Sequence, residues 1–356
     1  MSKILVIKGE GGSDIWENVK LGDFGIKKIV GEKTRNKEEK IIKKDEIRVK
    51  FKHLFHIRYF FFLFKQIPKE KPEIVIVKRP FPTMVIPAIF YKLFFRKKFF
   101  MHFDEWEINK PFRPIFGFKN IALFIFTYIS IAFADAFIVG NENLKKLIKT
   151  KKKFFYLPNG AIPWIIKPAN IKEPKNKIYC LYIGGSYRKV QEPMYRTFAK
   201  LKNAKLFVAG KVCRELGERK NVVKIGEFKF EELSKIASRA HVLLATFDYH
   251  WHLNFTSNVK IFDYMCLRMP IVASSIGEIP KYLDYGKAGY LIQPGNMQQL
   301  RSILKRIKEN YREAFQKAKY ARKLAETKYD RRKLIRNFIN ELNVWNKENE
   351  EKRKGK

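Results

Sequence analysis

Cysteine, acidic residues and long apolar runs are all scarce in this chain, and each shortage excludes something. The three cysteines in 356 residues, Cys180, Cys213 and Cys266, form no CxxC pair and lie far apart. Neither a disulfide scaffold nor a zinc ribbon is supported, and a reducing cytosol is the natural compartment. The longest apolar run, Ile121 to Ala134, has 14 residues, against about 20 for a bilayer-spanning helix. It therefore reads as a buried or an interfacial helix. Met1 to Ile7 runs straight into a strand-like segment, with no signal-peptide pattern behind it. Acids number 35 against 74 Lys and Arg, a net charge of +39. That excess implies an anionic partner, and nucleic acid, a membrane surface and phosphorylated small molecules all qualify. The cations are spread evenly, 34 against 16 acids in residues 1–170 and 40 against 19 beyond. With no RNA-recognition, KH, helix-turn-helix or zinc-finger pattern present, charge is the whole case for a nucleic-acid binder. Abundant Lys and scarce Gln also fit a compositional bias of the source.

What is plentiful is apolar material, 46% of residues, which excludes a wholly disordered basic protein. The length suggests two domains. Short apolar runs recur at 3–8, 73–78, 98–103, 136–140, 178–185, 205–210, 241–246 and 270–275, each followed by a helical pattern. Continuous rather than alternating apolar character marks strands buried on both faces, and their alternation with helices predicts α/β architecture with parallel, doubly wound sheets. The series breaks between Lys151 and Lys177, where Pro, Asn, Gly and Lys give the composition of a linker. One domain is expected before about residue 158 and one after it. Residues 297–345 read as helical throughout, and the charged tail 346–356 is expected to fray. In doubly wound folds ligands sit outside the carboxyl ends of the strands, so a cleft between two such sheets is the default site.

The most informative stretch is Thr256-Ser257-Asn258-Val259-Lys260-Ile261-Phe262-Asp263-Tyr264-Met265. Ser257 is a good N-cap for a helix whose free N–H groups would favour an anion, with Lys260 in its first turn. Asp263, one turn on, is placed to accept hydrogen bonds from sugar or ribose hydroxyls. With the following residues to Ser274, this run resembles the signature of family 4 retaining glycosyltransferases of the GT-B fold. The family form is roughly S-P-x-K-x-x-E-Y-M-A-x-G-x-P-V-V-A-S. Further segments resemble the same family in the same order. They are Gly11-Gly12 after the first strand, Ala134 to Val139, Pro158-Asn159-Gly160, Tyr182 to Gly185 followed by Arg188-Lys189, Val223 to Gly226 with Glu231 to Ala240, Gly277 to Pro280, and Gly289 to Leu291. The likeness covers most of residues 1–345 and is strongest from 178 to 300.

The resemblance implies two Rossmann-like domains facing a central cleft: an acceptor-side domain over 1–158, joined by a C-terminal helix over 330–345, and a nucleotide-sugar domain over 159–329. It implies donor binding by Gly11, Gly12, Gly184, Gly185, Ser257, Asn258, Lys260 and Asp263, the last on the ribose. Negative charge builds on the departing phosphate, so Arg188, Lys189 and Lys260 are assigned to stabilise it. No Asp-x-Asp motif stands at a strand end, so metal-independent transfer with no cofactor is expected. In such retaining enzymes the leaving phosphate itself can take the acceptor proton. His102, Asp104 and Glu105 match the family's H-D segment and would orient the acceptor hydroxyl. The chain departs from the pattern at Phe255, where the family has Glu, at Met269 in place of Gly, and in the shorter Asp263. Asp248 or His250 would have to substitute for the missing carboxylate.

Residues 51–133 hold 19 of the 32 phenylalanines, and residues 51–100 hold eleven Lys and Arg against two acids. Much of this must be core, yet cations beside large apolar side chains also suit an anionic leaflet. The expectation is a hexosyltransferase-like enzyme of glycan biosynthesis, peripheral at the inner face of the cell membrane. Its partners would be a nucleotide-sugar, a lipid-linked or saccharide acceptor and anionic lipid, with no specific nucleic acid. A non-catalytic GT-B scaffold beside a partner enzyme, and a basic nucleic-acid binder, stay open as alternatives.

Overall fold

All eight apolar runs form strands in the computed structural model, which describes residues 3–9, 14–33, 39–51, 55–106, 118–184, 189–214 and 216–354. The chain divides into two units: Met1–Asn159 with Phe255–Ser257 and Leu334–Lys356, and Gly160–Asn254 with Asn258–Lys333.

In the first unit the elements are β1 (Ile4–Gly9), β2 (Ile26–Lys33), β3 (Glu39–Ile42), β4 (Glu46–Phe51), α1 (Phe55–Glu70), β5 (Ile74–Lys78), α2 (Pro82–Phe95), β6 (Lys98–Phe103), α3 (Phe118–Phe133), β7 (Ala136–Val139), α4 (Leu144–Leu147) and β8 (Lys153–Tyr156). They build an eight-stranded sheet in the order β3-β4-β2-β1-β5-β6-β7-β8, parallel except where β3 meets β4. The two-residue period of β1 sends Leu5 and Ile7 to one face and Ile4 and Val6 to the other. β5 does the same with Val75 and Val77 against Ile74 and Ile76. Tyr59 and Leu63 of α1 and Met84 and Val85 of α2 cover the first face.

The second unit holds β9 (Ile178–Ile183), α5 (Glu192–Lys200), β10 (Ala204–Ala209), β11 (Val222–Gly226), α6 (Leu233–Ala237), β12 (Val242–Ala245), α7 (Val259–Leu267), β13 (Ile271–Ser274), α8 (Ile279–Tyr282), β14 (Tyr290–Ile292), α9 (Met297–Glu309), α10 (Tyr311–Thr327) and the start of α11 (Arg331–Lys354). Its six strands are parallel, in the order β11-β10-β9-β12-β13-β14. Ala314, Ala318, Ala321 and Ala325 form the buried stripe of α10, and these short side chains let α10 lie close against α7. From Leu334 onward α11 belongs to the first unit, where Ile335, Phe338, Ile339 and Leu342 join Trp16 on the second face of that sheet.

Two expectations need correction, and the helical reading of 297–345 gains detail. The stretch 151–177 is not a free linker: Lys153–Tyr156 is the edge strand β8, paired with β7, and Ala161, Ile162 and Ile166 lie in the second core. Only Phe155 of β8 is fully buried, so its sequence carries little strand signal. The region 297–345 is three helices, with Asn310 capping α10 by accepting from the Glu313 N–H. The tail beyond Asn346 continues α11 to Lys354, because Trp345 packs edge-on against Phe100 and Phe155 and its carbonyl accepts from Asn349.

Candidate functional site

Two clusters gather the residues singled out above, one in each unit. In the first, strand periodicity places Lys8, Lys78 and His102 on the Trp16 face, at the carboxyl ends of β1, β5 and β6. Lys78 Nζ lies 2.7 Å from Asp14 and 2.9 Å from Asp104, while Lys8 bonds Asp14 at 2.9 Å and Glu17 at 2.6 Å. Burial alone would raise the pKa values of Asp14 and Asp104, but these cations outweigh it and hold both well below the usual carboxylate range.

His102 is fully buried, and its Nδ1 accepts a hydrogen bond from Trp16 Nε1 at 3.0 Å. Indole N–H can only donate, so the neutral ring carries its proton on Nε2. That Nε2 has no partner among the described residues, and neither has Asp104 Oδ1. Burial, aided by the charge of Lys78 and only partly opposed by Asp104, brings the His102 pKa down to about 4. His102 is therefore a hydrogen-bond donor at neutral pH and not a base. It makes no hydrogen bond to Asp104.

In the second unit the site forms where β9 ends and α7 begins. The Tyr264 hydroxyl ties these elements, accepting from the Ile183 N–H at 3.0 Å and donating to the Leu244 carbonyl at 3.2 Å. Gly184 follows β9, and a Cβ there would stand 2.7 Å from the Tyr182 ring, so the tight approach needs glycine. Lys260, in the first turn of α7, sets its ammonium 4.0 Å from the Tyr182 ring centroid and 5.2 Å from that of Phe247. One turn on, Asp263 Oδ1 is buried without a hydrogen-bond partner among the described residues. Desolvation pushes the Asp263 carboxyl up to about 6, with Arg331 and Lys260 opposing the shift. A helix amino end carrying a lysine beside a glycine turn is suited to an anion. A buried carboxyl with one oxygen lacking a hydrogen-bond partner among the described residues is suited to a hydroxyl.

The structure thus brings Gly184, Lys260 and Asp263 together, with Asn258 as the residue that opens α7. Ser257 is not the cap. The helix starts at Val259, and Ser257 counts with the first unit, its N–H donating to the Asp104 carbonyl at 3.2 Å. The preceding Thr256 bridges to Glu105 as extended chain, which keeps Ser257 out of the helix. His102, Asp104 and Ser257 accordingly share the first cluster. Lys189 is exposed in a short turn before α5. Gly11, Gly12, Gly185 and Arg188 lie outside the described residues. Phe255 packs against the apolar core of the first unit.

Residues 177–310 match the family model of group 1 glycosyl transferases. This region is a group 1 glycosyltransferase domain. Solved structures agree over nearly the whole chain. Sucrose-phosphate synthase from Thermosynechococcus elongatus is 14% identical with a TM-score of 0.72, over 97% of this chain and 99% of that one. HepE of Anabaena in complex with UDP-glucose is 14% identical, TM-score 0.69, over 97% and 100%. A trehalose-6-phosphate synthase structure, from a study of glycosyltransfer with retention, is 12% identical, TM-score 0.69, over 96% and 99%. The chain therefore has the GT-B fold. No curated protein matches it by sequence.

Sequence reasoning missed several members of both clusters. Lys8 and Lys78 close the runs KILVIK and EIVIVK, and a lysine ending an otherwise buried strand was the available signal. Asp14 and Trp16 stand in a stretch without periodicity. Arg331 is fully buried some seventy positions from the Asp263 that it influences, a separation no local pattern reveals.

Proposed function

We propose that this glycosyltransferase is a retaining enzyme that moves a sugar from a nucleotide-sugar donor to a lipid-linked or saccharide acceptor at the inner face of the membrane. The observation that carries the reading is the grouping of Gly184, Lys260 and Asp263 within the matched domain. Asp263 holds the ribose hydroxyls. Lys260 and the α7 amino end face the diphosphate, joined by Arg188 and Lys189, and their positive charge stabilises the leaving group as the glycosidic bond breaks. No metal is required in this scheme. Retention is supported by His102, whose Nδ1 is taken by Trp16: it donates from Nε2 and takes no proton, leaving that task to the departing phosphate. HepE is described with UDP-glucose, which makes UDP-sugars the first donors to try.

The test is a thermal-shift panel of UDP-, GDP- and ADP-sugars, followed by nucleoside-diphosphate release with the donor that binds. One donor is expected to raise the melting temperature by linkage, and Asp263→Ala is expected to weaken it by roughly tenfold or more. Binding of none would sink the reading. One observation favours a second reading: Phe255 replaces the family's Glu and lies in a core contact, so donor binding without turnover would identify a non-catalytic scaffold.

A further inference from the structure

The helices α1, α2 and α3 form one layer on the first unit, α2 lying between the other two. Phe64 of α1 meets Phe90 of α2 at 4.6 Å between centroids, and Lys92 of α2 donates to the Phe133 carbonyl at the end of α3. The outward faces of these helices are apolar. On α2 the exposed stripe is Ile86, Phe90, Leu93 and Phe94, spaced i, i+4, i+7 and i+8, with Phe94 68% exposed. On α3 it is Ile121, Phe124, Ile125 and Tyr128, again one helical stripe. The inward face of α3 carries Leu123 with Thr127 and Ser130, whose hydroxyls donate to the carbonyls of Leu123 and Phe126. This is the reverse of a water-facing helix. Twelve of the nineteen exposed large hydrophobic residues among the described ones belong to these three helices, far more than scattered surface residues would give.

Charge selects the occupant. Apart from the buried Lys78, residues 55–98 contain nine Lys and Arg against Glu70 and Glu73. On α1 the exposed positions alternate between Phe61 and the cations Arg58, Lys65 and Lys69. A second copy of the chain would oppose cation to cation across such a face. An anionic leaflet satisfies both features, taking aromatic and aliphatic side chains at the acyl boundary and cations at the headgroups. No helix among the described residues is long and apolar enough to cross the bilayer.

We infer that the α1–α2–α3 face is a docking surface for anionic lipid, with α2 and α3 lying in the plane of the interface. The inference rests on the membrane-face reading above and deepens it by naming the surface. The test is co-sedimentation of the full chain with vesicles of phosphatidylcholine, alone and mixed with phosphatidylglycerol. Binding is expected to the mixed vesicles. Phe94→Glu with Phe124→Glu should reduce it by roughly tenfold or more, and Lys65→Gln with Arg96→Gln should flatten its dependence on anionic lipid. These positions are exposed, so the melting temperature and donor binding should not change. Wild-type protein that ignores mixed vesicles, or an apolar double variant that binds them as wild type does, overturns the surface. So does a wild-type dimer in solution that the double variant dissociates while vesicles capture neither. Donor binding is read in parallel. Vesicle binding without donor binding keeps the surface and removes the transferase, and the reverse keeps the transferase and removes the surface.

Discussion

Asp104 and Asp263 are buried carboxylates of opposite behaviour. Asp104 follows the end of β6 and Asp263 lies midway along α7, and burial pushes each toward the neutral form. Asp104 has Lys78 at 2.9 Å and stays well below the usual range. Asp263 is opposed by the charges of Arg331 and Lys260, yet desolvation raises it to about 6. At Asp104 the cations outweigh desolvation, whereas at Asp263 desolvation outweighs the opposing charges of Arg331 and Lys260. The first cluster is a network of ion pairs that keeps its carboxylates charged, although His102 Nε2 and Asp104 Oδ1 have no hydrogen-bond partner among the described residues. In the second, burial dominates the carboxyl.

The largest effect should come from breaking the ion pairs of the first cluster. Lys78→Met leaves Asp104 buried without its cation and should destabilise the first unit by about 3–5 kcal/mol. Urea unfolding would measure this, and adding Asp104→Asn should restore part of the loss. Next, the two units should respond oppositely to acid. The folded His102 pKa is about 4 against 6.5 when exposed, so its neutral form contributes stability in full above pH 6.5, lost as pH falls toward 4. That is on the order of 3 kcal/mol. Asp263 has a raised folded pKa, so its contribution is full below pH 3.8 and is lost as pH rises to about 6. Hydrogen exchange across pH 4 to 6.5 should therefore show weakening protection in β5 and β6, and strengthening protection in β12 and β13, as acid is added. Parallel changes in both would break the comparison.

A smaller effect is expected from Asp263→Asn. Removing a carboxylate that is costly to ionise should stabilise the second unit at neutral pH by about 1–2 kcal/mol, while nucleotide affinity falls. Better stability with weaker binding is the signature of a group kept for its ligand. An unchanged affinity would remove Asp263 from the site. The smallest is Trp16→Phe, which deletes the bond to His102 for about 1 kcal/mol. Nitrogen shifts of the imidazole should then report loss of the single tautomer.

The parallel sheets were legible because strands buried on both faces, such as ILVIK and EIVIVK, have no other reading at that length. β2 and β4 were not, since Lys28 in β2 looks like a surface residue. It is buried, at 3.0 Å from both Glu17 and Glu46, and only the fold supplies those partners. At the site, Lys260 and Asp263 could be read from helical spacing. Ser257 was misplaced because a capping preference is local, whereas the bridge from Thr256 to Glu105 joins positions far apart in sequence. The tautomer of His102 was likewise out of reach, since Trp16 lies 86 positions away.

The last helix has a consequence for how the protein is made. Ile335, Phe338, Ile339 and Leu342 complete a core whose other members include Ile4, Val6 and Phe100. A chain emerging from the ribosome amino end first would carry the first unit with one sheet face uncovered while more than half the sequence is still being added. The first unit closes only once α11 has been made. The second unit lies almost wholly between the two parts of that core in the chain, so it can fold first.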